Sequence, residues 1–145
     1  MCGIAGLIHR GKSSDIGSEL TAMLQSLKHR GPDSTGFALY GNPREGEYIL
    51  RFKVAEQEDM RKGFKIHDQV KERRAEVDRR LGELGARKVQ DDDATEYAYR
   101  YLISYDGDMK KLADYVEDVE GAEILSIGNA LELVKDLGDA ATVSG

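Results

Sequence analysis

The sequence predicts an α+β protein, and three observations predict it. Residues 61–84 and the run after Asp108 carry apolar side chains at helical spacing. Tyr48–Val54 and Thr95–Tyr105 instead alternate with period two, as strands with one covered face do. Between about 46 and 128 the order is strand, helix, strand pair, helix, strand, which is the βαββαβ order of a split βαβ unit.

The chain has 145 residues, enough for one ordinary domain or one and a fraction. At that length roughly 68–70% of the unfolded surface can be buried, so no disulfide or metal staple is needed. There are 21 Lys+Arg against 27 Asp+Glu, a net charge of −6, and the isoelectric point lies near 5.1. That balance argues against nucleic acid as a partner, because neutralising phosphates takes a basic surface. The most basic stretch, Lys71–Arg80, interleaves five positive with three negative side chains, the pattern of a solvated helix face. No apolar run is long enough to span a membrane and no signal pattern opens the chain, so a cytoplasmic location is expected. One cysteine excludes an intrachain disulfide, and His9, His29 and His67 have no zinc spacing. Phosphate-cradling glycine motifs are absent. Neither a metal nor a cofactor is therefore expected.

Element by element, Cys2–Ile8 is apolar, glycine-spaced and short, as a buried strand would be. Ser13, Ser14 and Asp15 offer helix N-caps, and Ile16, Leu20, Met23, Leu24 and Leu27 form one helical face. Gly31 and Pro32 stop that helix. Thr35–Tyr40 reads as a strand, joined through the Gly41–Gly46 hairpin loop to Tyr48–Val54. Ile66, Val70, Val77, Leu81 and Leu84 stripe the charged helix, with Glu76 and Arg80 paired on its wet side and Gly82 and Gly85 at its end. Asp91–Asp93 reads as a solvated turn, since three adjacent carboxylates on a loop cannot all converge on one ion. Tyr97, Tyr99, Tyr101, Ile103 and Tyr105 share one strand face, which packs under a helix or meets a protein partner. Asp108 caps a helix carrying Met109, Leu112, Val116 and Val119. Ala122–Ile127 is a strand, Gly128-Asn129 a turn and Ala130–Leu137 a short helix, followed by a small, polar tail. The unit so assembled is ferredoxin-like.

Cys2 carries the chemistry. Were Met1 removed, as a small second residue permits, thiol and free α-amine would sit on one residue. An α-amine of pKa ~7.7–8.0 is partly neutral near neutrality and can serve as the thiol's base. Nucleophile and base then need no histidine. Gly3 and Gly6 allow close approach around them.

M-C-G-I-A-G at residues 1–6, followed by H-R-G-P-D-S-T-G at residues 29–36, resembles the class II glutamine amidotransferases, which are N-terminal-nucleophile hydrolases. The resemblance implies a glutaminase. The cysteine attacks the glutamine side-chain amide, ammonia leaves, and water hydrolyses a glutamyl thioester. By position it makes Cys2 the nucleophile, Arg30 and Gly31 part of the substrate pocket, and Asp33 and Ser34 the residues that fix the adjoining turn. A helix C-cap followed by a turn explains the same residues structurally, and the two readings are compatible. Within the family the resemblance is strongest to the amidotransferase subunit of glutamate synthase and N-methylglutamate synthase. It implies glutamine as substrate and an ammonia-accepting synthase subunit or domain as partner.

The implied fold is an αββα sandwich, of which residues 1–54 would be the start, 55–122 an inserted α+β subdomain, and 123–145 a return toward the core. The family's R-x-A-T clamp for the glutamine carboxylate and its Asn-Gly oxyanion pair do not occur among these residues. The expectation is therefore an N-terminal fragment with little turnover by itself, its open sheet edges inviting oligomerisation. Two other readings stand beside this one. One is a non-catalytic interaction or regulatory module of a multi-subunit synthase, docking through its tyrosine face. The other is an N-terminal-nucleophile amidase acting on a different amide.

Overall fold

The computed structural model describes residues 2–11, 15–30 and 34–144. Its backbone divides into two compact units, Ala38–Leu133 and Met1–Phe37 with Val134–Gly145. Strands β1 (Ser34–Tyr40) and β6 (Leu131–Leu137) pair as a two-stranded sheet, and the division runs across both.

The larger unit is built on a four-stranded sheet, ordered β3 (Arg87–Asp93), β4 (Ala98–Ser104), β2 (Glu47–Lys53), β5 (Glu123–Gly128), with every pairing antiparallel. Helix α2 (Phe64–Glu83) connects β2 to β3, and α3 (Met109–Glu117) connects β4 to β5. This strand order and connectivity form a split βαβ arrangement within a mixed, antiparallel α+β architecture. One face of the sheet forms the core. Leu50 and Phe52 from β2 and Val54 just after it join Tyr97, Tyr99, Tyr101 and Ile103, all less than a tenth exposed. Ile66, Val70, Val77 and Leu81 of α2 and Leu112 and Val116 of α3 cover them. Each fully buried side chain of this size contributes about 1.5–3 kcal/mol. Phe52 meets Tyr101 edge-on at a centroid distance of 5.0 Å and Tyr99 at 5.5 Å. The tyrosine row is thus core, and the partner-docking surface expected as an alternative is covered by α2.

Local chemistry explains the helix ends. Gly85, at φ +80°, lets Ala86 N–H reach Leu81 O at 2.9 Å and Gly85 N–H reach Gly82 O at 3.0 Å, a Schellman stop. Asp108 caps α3 by accepting from Lys111 N at 2.9 Å. The expected Glu76–Arg80 pair forms at 2.9 Å.

Three expectations for this region are corrected. Asp91–Asp93 lies on edge strand β3 rather than in a turn, because its charges are paired. Arg74 reaches Asp93 at 3.0 Å, Lys88 reaches Asp91 at 2.9 Å and Arg100 reaches Asp92 at 3.3 Å. Ala130–Leu137 is strand β6 instead of a helix. Leu131 and Leu133 fit period two as well as Leu131 and Val134 fit a helix turn, and pairing with β1 decides it. The loop 41–46 closes no β1–β2 hairpin. Gly41 N–H donates to Ala130 O at 2.7 Å and Arg44 N–H to Asn129 O at 3.2 Å, while β2 pairs with β4 and β5.

In the smaller unit, α1 (Ile16–Ser26) packs against α4 (Ala140–Ser144). Asp15 caps α1, accepting from Ser18 N, whereas the other cap candidates Ser13 and Ser14 lie outside the described residues. The small, polar tail holds α4, started by Asp139, which accepts from Thr142 N at 3.0 Å. Cys2–His9 has no regular secondary structure, contrary to the strand expected there. A strand needs a ladder partner, none of the described strands pairs with this segment, and Ile4 and Ile8 are each 93% exposed.

Candidate functional site

The smaller unit holds the described candidate residues. Cys2 is a free, exposed thiol. Arg30 ends a 3-10 turn, Lys28–Arg30, that continues α1 after Leu27, and Ser34 opens β1. Gly31 and Asp33, with Pro32 between them, lie outside the described residues, as does Met1.

Gly3 connects the two motifs. A Cβ built on it would lie 3.1 Å from Leu27 Cβ and 3.3 Å from Arg30 Cβ, closer than side-chain carbons ordinarily approach. The residue after the cysteine therefore rests directly on the end of α1, beside Arg30. Only glycine permits that approach without displacing a neighbour. At the far end of the same segment, His9 Nε2 and Glu19 Oε2 stand 2.8 Å apart.

A cleft of ≈ 80 Å³ opens between Gly3, Gln25, Lys28, Ser34, Thr35 and Asp139. Small-molecule sites usually measure ~300–1,000 Å³, so this one admits only a few heavy atoms. Its floor is fixed by polar contacts. Lys28 Nζ lies 2.7 Å from Asp139 Oδ2, and Thr35 Oγ1 donates to Gly138 O at 2.8 Å. The Lys28 ammonium, with the Thr142 amide and hydroxyl, holds the Asp139 carboxyl well below the usual carboxylate range. Gln25 Oε1 is buried here with no hydrogen-bond partner among the described residues, and a buried acceptor left so costs about 1–3 kcal/mol.

Sequence reasoning named Cys2, Arg30 and Ser34 but missed Gln25, Lys28 and Asp139. The signal for Asp139 was present, since Asp-Ala-Ala-Thr after Gly138 is a helix-capping pattern. Gln25 and Lys28 belong to the helix turn that faces Gly3 and gave no separate signal. Among the described residues no three His, Cys, Asp or Glu side chains are grouped to hold a metal ion. Nor is any described helix long and apolar enough to cross a membrane.

No protein-family model and no solved structure matches the chain. It is similar, at 30% identity over 149 aligned positions and 99% of its own length, to a protein of Methanothermobacter thermautotrophicus named "Putative glutamine amidotransferase". It is also 38% identical, over 60 residues and 40% of its length, to the "Glutamine amidotransferase-like protein GlxB" of Rhizobium meliloti. The chain spans 46% of the first of these proteins and 20% of the second is matched. Both similarities are to proteins named for glutamine amidotransfer.

Proposed function

We propose that this chain is the amino-terminal part of a class II, N-terminal-nucleophile glutamine amidotransferase whose nucleophile is Cys2. The observation that carries the reading is the seat of Gly3 against Leu27 and Arg30, which brings the ends of the two sequence motifs together. Similarity to two proteins named for glutamine amidotransfer supports the same reading. On removal of Met1 the α-amine takes the thiol proton and the sulfur attacks the glutamine carboxamide. The amine then returns the proton to the departing ammonia, and water resolves the thioester to glutamate. The motif match assigns Arg30 and Gly31 to the substrate pocket and Asp33 and Ser34 to the turn beside it; of these, Gly31 and Asp33 lie outside the described residues. The ammonia goes to a synthase subunit or domain of the glutamate synthase or N-methylglutamate synthase kind.

Assayed by itself the chain turns over little glutamine. It contains no R-x-A-T clamp and no Asn-Gly pair, and losing one oxyanion donor already costs ~10²–10³ in rate. The test is intact mass after incubation of a protein spanning the relatives' full length with a diazo-ketone norleucine. One adduct on Cys2 of Met1-free protein is expected. Labelling elsewhere, or turnover that survives Cys2→Ala, overturns the assignment.

A further inference from the structure

The segment from Gly3 to His9 touches α1 at two places. Gly3 rests on Leu27 and Arg30 at the helix's C-terminal end, and His9 Nε2 meets Glu19 Oε2 at 2.8 Å in its first turn. Between them burial alternates: Ala5 and Leu7 are half-buried, while Ile4, Gly6 and Ile8 are exposed. Six extended residues reach about 20 Å. Leu27 and Glu19 are about 12 Å apart along the helix axis, so the segment comfortably spans the two anchors.

We infer that His9 is a positioning residue for Cys2, its contact with Glu19 pinning the far end of a strap whose near end carries the nucleophile. A segment without ladder hydrogen bonds has few restraints on where its first residue points. Gly3 supplies a close fit but no directional bond, because it has no side chain. The His9–Glu19 contact is the directional one, and among the described residues it is the side-chain hydrogen bond that the Cys2–Arg10 segment makes with α1. Glu19 is well suited to hold it, since a carboxylate in a helix's first turn is itself favoured by the helix dipole. The part of this inference that concerns catalysis rests on the glutaminase reading; the part that concerns the position of Cys2 does not.

The single cysteine makes the test direct. A methanethiosulfonate nitroxide on Cys2 of the 145-residue chain reports how tightly that position is held. His9→Ala and Glu19→Gln should each mobilise the label, lowering the ratio of its immobile to its mobile spectral component up to about fivefold, the limit set by a solvent-exposed pair. The charge-exchanged double variant, His9→Glu with Glu19→Lys, should restore the slower spectrum, and helix content by circular dichroism should stay constant throughout. Coincident spectra for all variants overturn the inference, as does failure of the exchanged pair to restore the original one. In a full-length protein His9→Ala should lower kcat about three- to fivefold at unchanged KM. If that protein shows no glutamine hydrolysis with His9 intact, the glutaminase reading fails, and the nitroxide spectra still decide the strap.

Discussion

Arg51 on β2 and Arg100 on β4 are direct cross-strand partners, and both hold the same carboxylate, Glu132. Glu132 Oε2 accepts from Arg51 Nε and Arg100 Nε at 2.9 Å each, and Oε1 from a second Arg100 nitrogen at 3.0 Å. Like charges directly opposite one another in a sheet repel. Here the side chains are only 15% and 25% exposed, so water screens that repulsion poorly and Glu132 compensates it. Glu132→Ala should therefore destabilise the protein by about 2–3 kcal/mol, more than the ~1 kcal/mol of an exposed pair. Arg100 and then Arg51 hold the Glu132 carboxyl below its ordinary value, against the opposing effect of burial. A lowered folded value means the stabilisation is complete above the ordinary carboxylate range and lost as pH falls through the folded one. Urea midpoints for the native chain and Glu132→Gln should differ at neutral pH and converge in acid. Equal midpoints at neutral pH would refute the bridge.

Tyr101 offers the complementary test at alkaline pH. Its ring is fully buried, its hydroxyl accepts from Arg74 Nε at 2.9 Å, and burial pushes its pKa up to about 12. An unfolded tyrosine titrates near ~10. The contribution is thus complete below about pH 10 and is lost as pH rises toward the folded value. Urea stability should decline between about pH 10 and 12, and Tyr101→Phe should make that decline shallower. Near pH 8 the same substitution should cost about 1 kcal/mol for the Arg74 hydrogen bond. An unchanged alkaline slope would show that another group sets it.

The larger unit was legible because its signals were redundant. The helix stripe Ile66–Leu81 and the odd-numbered row Tyr97–Tyr105 each demanded a covered face, and each covers the other. Where a signal was local and single, tertiary pairing overrode it. Leu131, Leu133, Val134 and Leu137 satisfy two periods, and only the distant strand β1 selects between them. The aspartates of β3 looked like a turn because their cations, Arg74, Lys88 and Arg100, come from three different elements. At the candidate site the motifs singled out Cys2, Arg30 and Ser34 as candidates. The Lys28–Asp139 pair joins residues far apart in sequence, and such closure leaves no local trace.

The stop at the end of α2 depends on one backbone geometry. Gly85 at φ +80° allows both Schellman hydrogen bonds, and a side chain there is strained although open space surrounds it. Gly85→Ala should cost about 1–2 kcal/mol in thermal or urea unfolding. Gly82→Ala, inside the helix with equally open space, should be neutral or stabilising by up to ~1 kcal/mol. The contrast isolates conformation from packing. If the two substitutions behave alike, the left-handed residue is not what ends the helix.

Gly3 and Gly6 allow the same separation at the candidate site. A Cβ at Gly3 would stand 3.1 Å from Leu27 Cβ and 3.3 Å from Arg30 Cβ, so one side must move by a few tenths of an ångström. Helix α1 is capped by Asp15 and packed on α4, so Gly3 is the side that gives, and Cys2 moves with it. A Cβ at Gly6 meets nothing within 4 Å. Misplacing a reacting group by ~1 Å can cost ~10²-fold, and a smaller shift correspondingly less. Gly3→Ala in a full-length protein should slow labelling of Cys2 by a diazo-ketone norleucine about tenfold, while Gly6→Ala should leave it within about twofold. Iodoacetamide provides the control, because it needs no aligned pocket and should modify Cys2 at similar rates in both variants. Equal slowing by both reagents would locate the effect in thiol access. Selective slowing of the glutamine analogue is what placement of the nucleophile by the Gly3 seat requires.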